Sequence, residues 1–371
     1  MKIAMLGHKR IPSREGGVEV VVEELATRMV ERGHQVVAYN RKGKHVSDEK
    51  YSVDTHTSVY KGIKIVQVPT VEKKGLNALI YSVLATFRAI FGKYDVIHFH
   101  AEGPCAMLWL PKLFGIYTVA TIHGLDWQRA KWGGLATRYL KFGEKMAAKK
   151  ADRLIVLSRN MQQYFMEQYQ RETIYIPNGV AIPQLRESKE ITKKFGLQGN
   201  DYILFLARIV PEKGVHYLLE AFRQIDTDLK LVIAGGSSHS ADYYQEIAEM
   251  ASQDERVVMT GFVQGQLLEE LYSNCSVYIL PSDVEGMPIS LLEALAYGRS
   301  CLVSDIPENK ELAGSHANYF MHGDVADLKE KLNALLIKGA GMQEENIAYV
   351  RDTFDWEKVV DQTLALYEKK D

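Results

Sequence analysis

The chain has 371 residues, which predicts two domains because a single hydrophobic core stops growing at roughly 250–300 residues. Its composition, 46% hydrophobic and 25% charged, is ordinary for a globular protein, and no apolar run of ~18 residues predicts a membrane-spanning helix. The first residues lack the features of a signal peptide, and Cys105, Cys275 and Cys301 have no metal-binding spacing. We therefore expect reduced thiols and a cytoplasmic location.

The net charge of −2 hides an asymmetry between the two halves of the chain. Residues 1–180 contain 27 Lys and Arg against 16 Asp and Glu, whereas residues 181–371 contain 18 against 31. A basic half indicates a negatively charged partner. No segment interleaves aromatic and basic residues as nucleic-acid readers do, so we expect a phosphorylated substrate or an anionic membrane surface and no nucleic acid.

The first half alternates apolar strand patterns with amphipathic helix patterns, which predicts βαβ units and a parallel sheet. A helix is predicted over Val18–Arg32, and Pro177-Asn178-Gly179-Val180 ends the run with turn residues. The predicted strands are Ile3–Gly7, Gln35–Tyr39, Ile63–Val68, Val96–His100, Thr118–His123, Leu154–Ser158 and Ile174–Ile176.

After a polar segment from Pro183 to about Asn200, the same alternation restarts. The predicted strands are Tyr202–Ala207, Leu229–Ala234, Val257–Thr260, Val277–Leu280 and Cys301–Val303. We predict an α/β fold of two Rossmann-like, doubly wound parallel-sheet domains, residues 1–182 and 183–354, that face each other across a cleft. Residues 355–371 are predicted to form a last helix that packs back on the first domain.

The most informative segment is Pro281–Ala294, where a short strand runs through a polar turn into a helix. Glu285 lies in the turn, Pro288 suits a first helical position, and Glu293 falls on the second helical turn. The amides at a helix start bind anions, and carboxylates bind hydroxyls. This pairing predicts a site for a sugar phosphate.

Two cations follow the first strand of the second domain, Arg208 and Lys213 on either side of a turn with Pro211. Together they could clamp a diphosphate, Arg208 through its fork and Lys213 as a point charge. Taken alone, solvated loop charges explain them better, but the carboxylates of Pro281–Ala294 favour the clamp.

Several polar residues of the first domain stand where strands end. Gly16 and Gly17 precede the first helix, where a phosphate could approach the backbone, although a plain tight turn fits equally well. His123 ends a strand and could bond a sugar hydroxyl. His98 and His100 share one strand face, and we interpret them as packing or acceptor-side groups. The acceptor-side candidates of this domain are His100, Glu102 and Asp126.

Asp283-Val284-Glu285 resembles an acidic pair that binds Mg²⁺ in metal-dependent sugar transferases. Because Arg208 and Lys213 already provide the positive charge that a leaving diphosphate needs, we predict no metal and no other cofactor.

The segment Lys73–Lys93 combines an apolar helix with cationic ends. Two interpretations stay open at this point. One is a buried domain helix, and the other is an interfacial helix that contacts anionic lipid at the inner face of the plasma membrane.

These motifs, in this order along essentially the whole chain, resemble GT-B glycosyltransferases of family GT4. The residues that carry the resemblance are Gly16-Gly17-Val18-Glu19, His123-Gly124, Pro177-Asn178-Gly179-Val180, Arg208 with Lys213, and Glu285 with Glu293. The opening, Gly7-His8-Lys9-Arg10-Ile11-Pro12 through Glu23-Glu24-Leu25-Ala26, resembles more narrowly a bacterial surface-polysaccharide subgroup that includes rhamnosyltransferases.

The resemblance implies a retaining, metal-independent transfer from a nucleotide-diphosphate sugar, with UDP or dTDP, to a glycan or lipid-linked saccharide. It implies that Arg208 and Lys213 bind the diphosphate, that Glu285, Gly286 and Met287 hold the donor sugar, and that Glu293 binds the ribose. It further implies that His123 touches the sugar, that Gly17 lines the phosphate side, and that the base lies near Gly261, Phe262 and Val263.

Two other functions fit the sequence. A nucleotide-sugar epimerase could use the same two-domain architecture and would convert the donor without an acceptor. A catalytically silent, membrane-docked binding protein is a second alternative, which the complete set of Arg208, Lys213, Glu285 and Glu293 disfavours.

Overall fold

The computed structural model describes residues 1–42, 58–71, 76–128, 133–237, 241–339 and 342–368. The chain divides into two compact units. The first unit comprises Met1–Gly179 and Trp356–Asp371, and the second unit comprises Val180–Asp355. The division therefore falls three residues before the predicted boundary at 182, and the end of the chain belongs to the first unit.

The first unit is built on a sheet whose strands run in the order β3-β4-β2-β1-β5-β6-β7-β8. All neighbouring strands are parallel except β3, which pairs with β4 in the antiparallel sense. The strands are β1 Lys2–Leu6, β2 Gln35–Arg41, β3 Val59–Tyr60, β4 Ile63–Val68, β5 Val96–His100, β6 Thr118–Ile122, β7 Arg153–Val156 and β8 Ile174–Tyr175. The central strands β5 and β6 are buried along their whole length, although each contains two polar residues among its five.

Helices cover this sheet because their apolar residues recur at helical spacing. In the first of them, Val21, Val22, Leu25 and Met29 are buried on one face. The helices of the first half are α1 Gly17–Glu31, α2 Leu76–Ile90, α3 Glu102–Cys105, α4 Trp109–Leu113, α5 Leu135–Lys150 and α6 Arg159–Tyr169.

The second unit has a parallel sheet with the strand order β11-β10-β9-β12-β13-β14. Its strands are β9 Tyr202–Leu206, β10 Lys230–Ala234, β11 Val257–Gly261, β12 Val277–Leu280, β13 Ser300–Ser304 and β14 Asn318–Phe320. Its helices are α7 Glu190–Phe195, α8 Val215–Phe222, α9 Ala241–Ala251, α10 Gln266–Asn274, α11 Ile289–Ala296, α12 Pro307–Ala313, α13 Val325–Lys338 and α14 Glu344–Thr353. Apolar clusters lie on both faces of the sheet.

The polar segment predicted between Pro183 and Asn200 contains a helix, α7, that the sequence pattern did not indicate. Ile191 is buried in the core, and the Glu270 carboxylate accepts hydrogen bonds from the amides of Lys189 and Ile191 at 3.0 Å each. This helix is six residues long and depends on contacts with α10 for its stability, so its local pattern is too short to reveal it.

The last helix, α15 Trp356–Tyr367, packs against α1 within the first unit. Arg28 lies over the Trp356 ring at 5.6 Å, and its Nε donates to the Glu357 carboxylate at 3.0 Å. Arg32 also pairs with Glu357. At the other end of the helix, the Tyr367 hydroxyl lies 2.6 Å from Nδ1 of His98. None of the helices within the described residues is long and apolar enough to span a membrane.

Candidate active site

The second unit brings two loops together at the carboxyl edge of its sheet. Because β9 and β12 are parallel neighbours, the loops that follow them leave the sheet side by side. The amide of Asp283 donates to the carbonyl of Glu212 at 3.0 Å. Gly214 has φ +65°, and a Cβ at this position would lie 2.0 Å from the Pro281 carbonyl oxygen. Only glycine fits this position, and the contact fixes the two loops against each other.

An ion pair joins these loops through Lys213 and Glu285. Lys213 Nζ contacts Glu285 Oε1, which also accepts a 2.7 Å hydrogen bond from Ser282 Oγ. The two charged side chains are only 13% and 7% exposed, respectively. A buried ion pair with an additional hydrogen bond is held in one geometry, so both charges are preorganised.

The turn that carries Glu285 is supported from the neighbouring strand. Ser304, at the end of β13, donates its hydroxyl hydrogen bond to the Ser282 carbonyl at 2.5 Å. The side-chain amide of Asn309 in turn donates to the Ser304 carbonyl at 3.0 Å, and all three residues are buried. Neither Ser304 nor Asn309 belongs to a local sequence motif, so the sequence does not indicate their roles.

Helix α11 begins directly after this turn, with Pro288 at the N-cap instead of the predicted first helical position. Within the described residues no side chain caps its first amides, which leaves donors for an anion. The Tyr272 hydroxyl donates to the carboxylate of Glu293 at 3.1 Å. Gly286 and Met287 lie between Glu285 and the helix start, and Met287 packs partly against the core.

Asp283 and Glu285 have different partners. His322 Nε2 lies 2.8 Å from Asp283 Oδ1, whereas Glu285 pairs with Lys213. In the described part of the chain, no group of three or more His, Cys, Asp or Glu residues could hold a metal ion.

A third loop of the same edge follows β11. The amide of Gly235 donates to the carbonyl of Gly261 at 2.9 Å, which ties this loop to the end of β10. Val263 is buried in the core, and Phe262 approaches Gly236. Residues 261–263, which are predicted to bind the base, therefore offer backbone groups and one apolar ring, that of Phe262.

In the first unit, the start of α1 already holds a carboxylate. Glu19 occupies the third helical position, where a side chain reaches back toward the N-cap, here Gly16. Burial opposes its ionisation, but the charge and the amide of Lys9 hold the pKa of Glu19 below its usual value. Glu19 thus lies at the start of α1, where Gly16 and Gly17 were predicted to approach a phosphate, and its spacing in the sequence could have indicated this position.

Three histidines adjoin one another at the ends of β5 and β6. The rings of His98 and His100 stack with centroids 4.1 Å apart, and His100 Nδ1 lies 3.0 Å from His123 Nε2. Burial lowers the pKa of His98 to about 3 and that of His100 well below its usual value, so both are neutral. His100 is fully buried and contacts His123, and its acceptor-side role stays a prediction.

Glu102 is also fully buried, against α5. Burial, with the nearby charges of Asp126 and Glu144, raises the pKa of Glu102 to about 10, so this carboxyl is protonated at neutral pH. Glu144 accepts hydrogen bonds from Trp127 Nε1 at 2.8 Å and from Tyr164 at 2.9 Å. Glu102 is therefore a buried, protonated carboxyl, and its acceptor-side role stays a prediction, whereas Asp126 lies in a short turn that is not buried.

Two family models cover most of the chain. Residues 15–182 match the model of glycosyltransferase family 4, and residues 187–352 match the model of glycosyl transferases group 1. The chain belongs to the GT4/group 1 glycosyltransferases. It is thus a transferase, and its two units are those of the GT-B fold.

Known proteins agree with this family. The glycosyltransferase is 28% identical over 275 residues to an uncharacterized glycosyltransferase, YqgM, of Bacillus subtilis, over 68% of this chain and 73% of that protein. It is 27% identical to an Escherichia coli UDP-Gal:alpha-D-GlcNAc-diphosphoundecaprenol alpha-1,3-galactosyltransferase, over 66% of each chain. Anabaena HepE, solved with UDP and glucose, has the same fold, with a TM-score of 0.79, 18% identity and 98% of each chain covered.

The predicted site residues of the glycosyltransferase fall into two sets. Arg208, Lys213, Glu285 and Glu293 all follow strands of the second unit at the carboxyl edge of its sheet, and residues 261–263 lie at the end of β11, at the same edge. Gly16, Gly17, His100, Glu102, His123 and Asp126 lie at the corresponding edge of the first unit. Some residues support these two sets through hydrogen bonds but were not predicted as site residues. They are Ser282, Ser304, Asn309, Glu19 and Glu144.

Proposed function

We propose that this glycosyltransferase is a retaining, metal-independent enzyme. It moves a sugar from a UDP- or dTDP-sugar to a glycan or lipid-linked saccharide during synthesis of a bacterial cell-surface polysaccharide, in the cytoplasm. The observation that carries the proposal is the buried Lys213–Glu285 pair beside the uncapped start of α11. It combines fixed cations and amides for a diphosphate with a carboxylate for hydroxyls.

The donor is assigned to the second unit. Arg208 and Lys213 bind the diphosphate, and Lys213 can do so while it holds Glu285 because an ammonium has three donors. Glu285, with the backbone of Gly286 and Met287, binds the sugar hydroxyls. Glu293 binds the ribose, and the backbone of residues 261–263 binds the base.

Charge stabilisation explains how such a site would accelerate transfer. The sugar becomes oxocarbenium-like as its bond to the diphosphate breaks, and negative charge grows on the leaving phosphate. Preorganised cations and amides stabilise that charge, and the loss of one such donor costs ~10²–10³-fold in rate. We propose a front-face route in which the leaving phosphate takes the proton of the acceptor hydroxyl.

The names of two similar proteins support the substrate classes. The Escherichia coli relative uses UDP-Gal and a diphosphoundecaprenol-linked acceptor by its name, and HepE was solved with UDP and glucose. The separate partners of Asp283 and Glu285, His322 and Lys213, support transfer without a metal because Glu285 already has its counter-charge. A donor panel should include dTDP-rhamnose, which tests the rhamnosyltransferase-like subgroup.

The direct test is the variant Glu285→Gln, assayed for transfer with the wild type in the presence of EDTA. We expect wild-type transfer to persist in EDTA with retention of the anomeric configuration, as NMR of the product shows. Glu285→Gln should lose at least ~10²-fold in rate, because a neutral amide no longer anchors Lys213 or binds the hydroxyls as a carboxylate. The matched control is Glu330→Gln, on an exposed face of the same unit.

Wild-type-like turnover of Glu285→Gln would contradict the role of this carboxylate, and a strict Mg²⁺ requirement would restore Asp283 and Glu285 as a metal pair. Incubation with donor alone separates the remaining alternatives. Conversion of the donor sugar without acceptor indicates an epimerase, and no turnover with any donor and acceptor indicates a binding protein.

We further propose that the first unit contacts an anionic membrane surface. Helix α2 buries Tyr81, Ala85 and Ala89 but exposes an apolar stripe on its opposite face. The stripe comprises Leu76, Val83, Leu84, Phe87 and Phe91. Neighbouring α4 and α5 add exposed Trp109, Leu113, Phe114, Leu135 and Phe142, with Lys93, Lys145 and Lys149 also exposed. Lys73 and Lys74 lie outside the described residues.

Exposed aromatic side chains with lysines nearby fit a lipid surface better than water, since large apolar patches on monomers mark interaction sites. Phe91 is 68% and Leu113 is 72% exposed. Flotation with vesicles of phosphatidylglycerol and phosphatidylcholine should recover the wild type, and salt or vesicles of phosphatidylcholine alone should weaken binding. The double variant Phe87→Ser and Phe91→Ser should stay unbound with unchanged turnover on a soluble acceptor. Equal recovery of the double variant and the wild type would contradict this surface.

A further inference from the structure

The two oxygen atoms of the Glu285 carboxylate differ in their contacts. Oε1 receives both the Lys213 ammonium and the hydroxyl of Ser282, whose Oγ lies 2.7 Å away. No described residue donates a hydrogen bond to Oε2, which keeps access to solvent although the Glu285 side chain is only 7% exposed. The oxygen that is left for a ligand is therefore Oε2.

An ion pair by itself does not fix which oxygen of a glutamate faces outward. The last side-chain torsion of glutamate is broad, so the plane of the carboxylate can rotate. An ammonium is a point charge with three rotatable donors, and it can follow either oxygen. A hydrogen bond from a hydroxyl is directional, and a carboxylate only accepts, so Ser282 is the donor. Ser282 therefore provides an orientation that Lys213 alone does not provide.

Ser282 is itself held from the neighbouring strand β13. It is fully buried, and its carbonyl accepts the hydroxyl hydrogen of Ser304 at 2.5 Å. The side-chain amide of Asn309 donates to the Ser304 hydroxyl at 3.1 Å and to the Ser304 carbonyl at 3.0 Å. Because an amide N–H only donates and a carbonyl only accepts, each bond of this chain has one direction. Ser282 therefore cannot follow a rotation of Glu285 without breaking buried hydrogen bonds.

We propose that Ser282 is a positioning residue that orients the Glu285 carboxylate so that Oε2 faces the ligand, with Ser304 and Asn309 as its anchor. The ligand group that fits Oε2 is a sugar hydroxyl that donates its hydrogen, since a carboxylate oxygen only accepts. The inference rests on the proposed function for the sugar contact of Glu285, but the orientation of the carboxylate is a property of the unliganded protein.

The variant Ser282→Ala removes one oxygen atom and the hydrogen bond to Glu285. We expect it to lower kcat on the order of 10-fold, the effect of one lost hydrogen bond to a charged group. UDP affinity should be nearly unchanged, because Arg208 and Lys213 remain. The matched control is Ser252→Ala, which removes an exposed hydroxyl of the same unit that donates to the Glu249 carbonyl, and it should have wild-type kcat.

A double-mutant cycle separates positioning from a general loss of packing. If Ser282 acts only through Glu285, adding Ser282→Ala to Glu285→Ala should not slow transfer any further. A purely structural role would slow the wild type and Glu285→Ala by the same factor. Equal slowing in the two backgrounds, or a wild-type kcat of Ser282→Ala, would overturn the proposal.

Crystal structures of the unliganded wild type and Ser282→Ala test the orientation without any turnover. The wild type should have Oε1 of Glu285 toward Ser282 and Lys213. The variant should have a rotated carboxylate or several carboxylate conformers, with the backbone of residues 281–288 unchanged. The same carboxylate orientation in both structures would contradict the positioning role. If the carboxylate rotates as expected but the wild type turns over no donor, the proposed function fails and the positioning role stands.

Discussion

The carboxyl edges of the two sheets hold their polar groups in opposite states. In the second unit, Lys213 and Glu285 face each other as a buried pair of opposite charges. In the first unit, His98 and His100 are neutral and Glu102 is protonated. These groups are buried, and no opposite charge beside them is sufficient to stabilise their charged forms. The same sheet position can thus hold a charged site or a neutral network, depending on whether an opposite charge is built beside it.

The difference matches what the two edges are proposed to bind. A diphosphate needs cations and amides that are already in place, because reorganisation during the reaction costs rate. The first edge has no such charges at β5, because the buried imidazoles of His98 and His100 are neutral and contact Tyr367, Thr121 and His123. Substitutions that alter a charge or its position at the edge of the second unit should therefore have different consequences from those at the edge of the first unit.

The largest effect is expected from Gly214→Ala, which separates the charged loops. The left-handed conformation at φ +65° costs about 1–2 kcal/mol for alanine, and the new Cβ would overlap the Pro281 carbonyl at 2.0 Å. We expect at least ~10²-fold slower transfer and a lower midpoint of thermal unfolding. The control is Gly196→Ala at φ +63°, where the nearest atom would lie at 3.8 Å. Equal effects of the two variants on transfer would show that the loop contact does not position Lys213.

A smaller effect, an increase in stability, is expected from Glu102→Gln at the carboxyl edge of the first unit. The pKa of Glu102 is about 10 in the folded protein and near 4.5 when unfolded, so folding takes up a proton at neutral pH. Stability should therefore fall as pH rises from about 4.5 toward 10, and glutamine removes this loss. We expect Glu102→Gln to have a higher free energy of unfolding than the wild type at pH 8, and the same free energy of unfolding near pH 4.

Denaturant unfolding across this pH range checks the prediction, with the exposed Glu31→Gln as control. A loss of stability in Glu102→Gln at pH 8 would mean that Glu102 is ionised in the folded protein. The two edges would then not differ in the way described above.

The sequence predicts the order of elements well because most strands and helices carry complete apolar periods. Val277–Leu280 and Ile63–Val68 have the predicted bounds. The two-residue β3, the three-residue β14 and the six-residue α7 escape prediction because such short elements are stabilised by their neighbours. Arg208, Lys213 and Glu285 were predicted as site residues from local motifs, and their binding roles stay predictions.

Contacts between distant residues were not predictable. Nothing in the sequence pairs Lys213 with Glu285, which are 72 residues apart, or ties Ser304 to Ser282. Glu102 follows a strand like an exposed site residue, yet α5 packs against it and its side chain is buried, which its position in the sequence does not indicate. Burial depends on the tertiary packing of other elements, and this determines which polar residues stay charged.

The central claim is that the second unit binds a nucleoside diphosphate through Lys213 without a metal. Isothermal titration of UDP, and in parallel dTDP, into the protein in EDTA tests it most directly. We expect binding of at least one nucleotide by the wild type and at least ~10-fold weaker binding by Lys213→Ala, since a charged hydrogen bond contributes about 1.5–3 kcal/mol. The control Lys331→Ala, which removes an exposed lysine of the same unit, should bind normally. Equal affinity of Lys213→Ala and the wild type, or binding only after Mg²⁺ is added, would contradict the account.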